Sequence, residues 1–136
     1  MQKITRILVP TDFSPAANAS YEYAESLRAI IGARLIVVHI IAPIHYLEDA
    51  DQTLAMREAR EATQRAFAAL KPAPSHALIR YGIPHQVIVE TAAALSVNLV
   101  IMGTHGRSGL QRLLLGSVAA NVLRHAPCPV LTVRGQ

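Results

Sequence analysis

Apolar positions fall along this chain in two alternating rhythms. Residues 4–9, 34–41, 99–102 and 130–133 are nearly continuous runs of Ile, Leu, Val and Met, the pattern of strands buried on both faces. Residues 76–81 form another run, more polar, which places that strand at a sheet edge. Between the runs, apolar residues return every three or four positions, as on one face of a helix. Ala17, Tyr21, Ala24, Leu27 and Ile31 mark such a face over residues 15–31, and Ala55, Ala59, Ala62, Ala66 and Leu70 mark another over 52–70. Val87, Ile88, Thr91, Ala92 and Leu95 mark a third, opened by Gly82-Ile83-Pro84, and Val118, Val122 and His125 a fourth over 117–126.

The punctuation agrees with the rhythm. Pro10 stops the first run, and Ser14-Pro15 reads as an N-cap followed by proline at the first helical position. Gly32 supplies a C-cap, and Pro127-Cys128-Pro129 breaks the last helix. Arg57–Glu61 and Glu61–Arg65 are i,i+4 pairs on a solvated face. Residues 42–51, with Pro43, His45 and Tyr46, are the longest irregular stretch and read as a flap near a site. Strands that alternate with helices require crossover connections, and therefore a parallel sheet. No repeat or linker interrupts the pattern, so residues 1–136 are expected to be one domain, an open parallel α/β sheet of five strands with helices on both faces.

Composition narrows the function. Half of the residues (51%) are hydrophobic and 16% are charged, which suits a packed domain and excludes disorder. A lone cysteine, Cys128, makes no internal disulfide, and its place between two prolines suits a core or turn role. No apolar run approaches the ~20 residues of a membrane span, and residues 1–6 lack the apolar region of a signal peptide. A soluble, cytoplasmic protein is expected. The net charge of +4 is spread along the chain, with no basic run and no Trp, four Tyr and two Phe for stacking. That sets nucleic acid aside and leaves a phosphate-bearing small molecule as the partner the charge suits. The six histidines show no ligand spacing for zinc.

The densest chemistry lies in residues 99–118. Four apolar residues end at Gly103, Gly106 and Gly109 follow at three-residue steps, and Gly116-Ser117 opens the last helical pattern with Ser117 as its N-cap. A helix start leaves amides unpaired and carries partial positive charge, and a glycine lets a ligand approach the main chain. Two cradles for an anion are therefore expected, at 103–106 and 116–117, with Arg107 and Arg112 adding charge. The rival reading, glycines that merely turn the chain, suits a lone pair better than three with a capping serine. Two better-known phosphate loops are excluded: no Gly-Lys-Ser/Thr occurs, and the spacing at 103, 106 and 109 is G-x-x-G-x-x-G rather than G-x-G-x-x-G.

Gly103-x-x-Gly106, nine residues, then Gly116-Ser117 resembles the ATP signature of the nucleotide-binding branch of the universal stress protein family. Ile7-Leu8-Val9-Pro10-Thr11-Asp12-Phe13-Ser14 is similar to that family's first strand and turn, Val38-His39-Ile40 to its second strand, and Gly82-Ile83-Pro84 to the turn before its third helix. The resemblance implies a Rossmann-like sheet, of the adenine nucleotide alpha hydrolase kind, in strand order 3-2-1-4-5. In that order the first and fourth strands are neighbours whose helices leave toward opposite faces, a switch point where ligands bind. Pro10, Thr11, Asp12, Met102 and Gly103 would meet there. The resemblance further implies that Ile40 and Met102 lie against adenine, with the Ile40 main chain reading the base edge. Thr104, Arg107 and Ser108, in the glycine loop that opens at Gly103, become ribose or phosphate contacts, and His105 a phosphate contact rather than a catalyst. Ser117 and Val118 would offer amides, and Ser117 its hydroxyl, to the distal phosphates. Ala119 departs from members that carry a hydroxyl there, which leaves ATP, ADP and AMP undistinguished.

Asp12 has two readings of equal weight: an oxygen ligand for Mg²⁺ or a ribose hydroxyl, or the side-chain turn bond common before a helix. His39, in an apolar strand, is expected to be a hydrogen-bonded core histidine. The function that follows is a cytoplasmic stress-response module that binds ATP or another adenine nucleotide and hydrolyses it slowly at most. The alternatives are an ATP hydrolase or phosphotransferase using Asp12 and Mg²⁺, and an interaction protein that binds no nucleotide. Val130 to Val133, apolar and at a sheet edge, is the expected pairing surface of a homodimer, as the resemblance also implies.

Overall fold

The computed structural model describes residues 2–43, 48–104 and 115–134. Strands β1 (Arg6–Pro10), β2 (Arg34–Ile41), β3 (Ala77–Tyr81), β4 (Leu99–Gly103) and β5 (Val130–Val133) form a single sheet of order β3-β2-β1-β4-β5, with every pairing parallel. Helices α1 (Pro15–Ile31), α2 (Asp49–Ala69), α3 (Pro84–Ala94) and α4 (Ser117–His125) make the crossovers. The expected strand order is found, and polar β3 lies at an edge. No helix among the described residues is long and apolar enough to cross a membrane.

Successive side chains of a strand point to opposite faces, so each buried strand feeds two cores. Ile7, Val9, Leu35, Val37, Leu99 and Ile101 pack with Tyr21 and Ala24 of α1 and Phe67 of α2. Leu8, Ile36, Val38, Ile40, Val100 and Met102 pack with Ile88 and Ala92 of α3 and Ala119 and Val122 of α4. Cys128 packs against this second core, and burial pushes its thiol pKa up.

Local signals placed α1 correctly. The Ser14 hydroxyl accepts from the Ala17 amide at 3.1 Å, and Gly32, at φ 73°, donates its amide to the Arg28 carbonyl at 2.8 Å. Elsewhere distant contacts moved the boundaries. β1 begins at Arg6 rather than residue 4, because Asn98 Oδ1 accepts from the Thr5 amide (2.8 Å), the Thr5 hydroxyl (2.8 Å) and the Arg6 amide (2.9 Å). Pro10 does not stop β1 but completes it. Thr11 donates its amide to the Val38 carbonyl, so alternation turns the missing donor of Pro10 toward β4, beyond the last β1–β4 pair, Leu8↔Val100. α2 begins at Asp49 rather than 52, and Asp49 and Asp51, assigned above to a loop, sit in its first turn, where acids favour the helix. Residues 44–47, with His45 and Tyr46 of the expected flap, lie outside the described residues.

Two helix faces are rotated from expectation. α2 buries Thr63 and Phe67 and exposes Ala62, because the Phe67 ring packs edge-on against Phe13 at 5.3 Å. α4 buries Ala119 and Val122, while His125 is exposed with Nδ1 2.9 Å from the Asn121 carbonyl. The Arg57–Glu61 and Glu61–Arg65 pairs do not close. Among the described residues the ion pair within reach is Arg28–Glu25 at 3.0 Å, and exposed pairs on α2 gain too little to hold two long side chains still.

Asn98→Ala should lower stability by about 1–2 kcal/mol in urea melts with an unchanged slope, since three donors lose one acceptor at a partly solvated site. Tyr21 gives a second check. Its hydroxyl donates to the Pro72 carbonyl at 2.5 Å, and burial, then the nearby Glu25, raise its pKa from 10.0 to about 12. The unfolded chain therefore loses this proton first, and the stability it confers is full below pH 10 and lost as pH rises toward 12. Tyr21→Phe should flatten the decline of stability over that interval, measured by denaturant melts at stepped pH.

Candidate functional site

β1 and β4 pair only through Ile7↔Leu99 and Leu8↔Val100, and beyond Leu8 the two chains part. A crevice of about 310 Å³ opens at their carboxyl ends. Its wall on the α3/α4 side is apolar, built from Ile40, Ile88, Met102 and Ala119, which are 9%, 2%, 6% and 3% exposed. Its rim is polar and comes from the chain ends around it: Thr11, Asp12, His39, Thr104 and Ser117.

The turn from β1 into α1 is held by its own side chains. Thr11 Oγ1 accepts from the Phe13 amide at 3.0 Å, and Asp12 Oδ1 accepts from the Ser14 amide at 2.9 Å. Of the two readings of Asp12, the turn bond is thus made. Between these bonds Phe13 takes φ 61°, a left-handed conformation that costs a bulky residue roughly 1–2 kcal/mol. Its ring is anchored in return, 5.1 Å from the His39 ring and 5.3 Å from Phe67. His39 Nδ1 lies 2.7 Å from the Thr11 carbonyl. A carbonyl only accepts, so Nδ1 carries the proton. His39 is hydrogen-bonded, as expected, but it is half-buried at the crevice rather than enclosed in the core.

The start of α4 differs from expectation by one residue. Gly116 is the N-cap, with φ −62° and ψ 159°, and Ser117 is the first helical residue. The Gly116 carbonyl accepts from the Ala120 amide at 2.9 Å, closing the first helical turn. The Gly116 amide, expected to serve an anion, donates instead to the Thr104 carbonyl at 2.7 Å. The donors at this helix start are therefore the amides of Ser117, Val118 and Ala119, the first turn that no helical carbonyl can reach. Thr104 also donates its own amide to the Val133 carbonyl at 3.2 Å, so one residue ties β5 to α4.

The two glycines at this rim are glycine for different reasons. A Cβ on Gly103 would stand 3.1 Å from the Ala16 carbonyl oxygen, so Gly103 lets α1 close against β4. The dihedrals of Gly116 suit any residue, so the backbone itself gives no reason for glycine there. Of the positions singled out from the sequence, Pro10, Thr11, Asp12, Ile40, Met102, Gly103, Thr104, Gly116, Ser117 and Val118 all line the crevice. His105, Gly106, Arg107 and Ser108, with Gly109 and Arg112, lie outside the described residues. Pro84 and Ile88 of α3 also line it and were missed. Nothing local marks them; only the strand order brings the start of α3 over the end of β2. The signal for His39 was present, as the one polar residue between Val37-Val38 and Ile40-Ile41.

Residues 3–134 match the model of the Universal stress protein family. A universal stress protein of Thermus aquaticus, encoded in a sulfhydrylase 3′ region, is 37% identical over 133 residues that cover 94% of this chain and 97% of the relative. The solved structure of universal stress protein UspA from Lactobacillus plantarum superposes with a TM-score of 0.80 at 28% identity, covering 98% of this chain and all (100%) of that one. A universal stress protein solved in complex with cAMP superposes with a TM-score of 0.68 at 29% identity, covering 99% of this chain and 100% of that one. The family match reaches from the chain that leads into β1 to the end of β5, across the whole sheet, and on that ground this chain belongs to the universal stress protein family.

Proposed function

We propose that this protein binds an adenine nucleotide in the crevice between β1 and β4 and acts as a nucleotide-dependent regulatory module, with slow hydrolysis at most. The observation that carries the reading is the pairing of two unlike surfaces in one cavity: an apolar wall of Ile40, Ile88 and Met102, and a helix start whose first amides point out of α4. A base suits the first and a phosphate the second. The similar structure solved with cAMP supports this choice of ligand. On this reading Ile40 and Met102 flank the base, and Pro10, Thr11, Asp12, Gly103 and Thr104 surround the ribose. Ser117 and Val118 meet the phosphates together with Gly116, whose lack of a side chain keeps their approach open. His105, Gly106, Arg107 and Ser108 complete the phosphate side. ATP is the proposed occupant among the adenylates.

Asp12 fits a magnesium ion held against such phosphates, as a single carboxylate that leaves the other positions to phosphate oxygens and water. Its turn bond does not need its charge, because an asparagine oxygen accepts from the Ser14 amide equally well. The titratable side chains lining the described crevice are Asp12 and His39, each already holding the β1–α1 turn, which favours binding over turnover. We further propose a single-domain cytoplasmic protein that pairs as a homodimer along β5, whose outer edge lies opposite β4.

Calorimetric titration of the protein with ATP, ADP and AMP tests the reading, and a folded protein that takes up none of them overturns it. Gly116→Val should weaken nucleotide binding more than tenfold while lowering stability by only about 0.5–1 kcal/mol, the scale of a poorer N-cap. Asp12→Asn should leave AMP affinity within about twofold, as the turn persists, and abolish the dependence of ATP affinity on magnesium. Sedimentation at micromolar protein should show a dimer, and placing Pro at Thr132 should shift it to monomer.

A further inference from the structure

In a parallel pair, a residue points its N–H and C=O to the same neighbour, and the next residue points both to the other side. In β2, Val37 and Ile41 serve β3: the Val37 amide donates to the His76 carbonyl at 2.9 Å, and the Ile41 carbonyl accepts from Gly82 at 3.1 Å. Val38 serves β1, accepting from the Thr11 amide at 2.8 Å. Ile40, two residues on, therefore turns its own N–H and C=O toward the end of β1. The next rung would run from the Ile40 amide to the Thr11 carbonyl.

That rung is not formed. The ladder ends at Pro10↔Val38, and Thr11 is outside the strand. The Thr11 carbonyl instead lies 2.7 Å from Nδ1 of His39. The imidazole also meets the Phe13 ring, at 5.1 Å, which rests in turn on Phe67. Ile40 is 9% exposed and lines the crevice, and among the described residues its amide meets no ladder acceptor. A main-chain donor at a crevice wall that makes no ladder bond is available to a ligand.

We infer that His39 is a positioning residue for base recognition. Its imidazole takes the Thr11 carbonyl from the Ile40 amide, as Thr11 Oγ1 takes the Phe13 amide from the Ile40 carbonyl, and so the Ile40 N–H and C=O stay open, side by side, to a ring whose edge carries an acceptor next to a donor. Adenine presents that order, with N1 accepting and N6–H donating; hypoxanthine reverses it, with N1–H donating and O6 accepting. The ligand in this inference rests on the nucleotide reading above; the missing rung does not.

The test uses the full chain, as wild type, His39→Leu, which has no donor, and His39→Asn, whose Nδ2 takes the place of Nδ1. In ligand-free wild type the Ile40 amide should exchange hydrogen at least ~10 times faster than that of Val38, the difference between an open and a laddered amide. His39→Leu frees the Thr11 carbonyl to complete the rung and should slow Ile40 to the rate of Val38, while His39→Asn should keep it fast. Wild type should prefer AMP to IMP by roughly tenfold, the scale of one hydrogen bond, with the preference lost in His39→Leu and kept in His39→Asn. An Ile40 amide as protected as Val38 in the wild type overturns the inference, as does an unchanged AMP-to-IMP ratio in His39→Leu. Wild type that binds neither nucleotide would defeat the proposed function, and the exchange comparison would still decide the rung. Should His39→Leu not fold, wild type and His39→Asn carry the comparison.

Discussion

Two neighbouring parallel strands whose helices depart to opposite faces cannot stay paired to their ends. β1 and β4 are under that constraint: α1 packs over Ile7 and Val9, α4 over Leu8 and Val100, and the strands part after Leu8↔Val100. The gap between them is a consequence of topology, and everything chemical in the molecule gathers at its rim. What lies there is mostly main chain: the end of β2, the turn after β1 and the first residues of α4. Asn98 fastens the opposite end of the same pair, accepting from Thr5 and Arg6, so the strands that diverge at one end are bound together at the other.

Local chemistry was legible in the sequence; contacts made across the sheet were not. Ser14 and Gly32 cap α1 as their types dictate, because a cap is decided within one turn. The start of β1 depends on Asn98, 93 residues from Thr5, and nothing near Ile4 announces it. Pro10 reads as a terminator until the neighbour on its empty side is known, and that neighbour is set by strand order. At the rim, the resemblance named Asp12, Ile40, Met102 and Ser117, all of which line the crevice, yet it could not say which amides there are spent. Gly116 gives its amide to Thr104, and so the helix start offers its donors one residue later than the Gly-Ser spacing suggests.

The same comparison separates residues that look alike in a motif. Gly103 and Gly116 are both conspicuous in the sequence; Gly103 answers to packing, with Ala16 against it, whereas the dihedrals of Gly116 suit any residue. Asp12 and Thr11 look like ligand residues and also build the turn that carries them, each accepting from an amide two positions on. Phe13 shows how firmly that turn is held: it keeps φ 61° because its ring is wedged between His39 and Phe67. Side chains at this rim thus act chiefly on the backbone, and the backbone faces the cavity.

Thr104 has a wider consequence. Its amide is tied to Val133 and its carbonyl to Gly116, so the ends of β4 and β5 and the start of α4 meet at one residue. A change at Thr104 would therefore disturb the outermost strand and the last helix together.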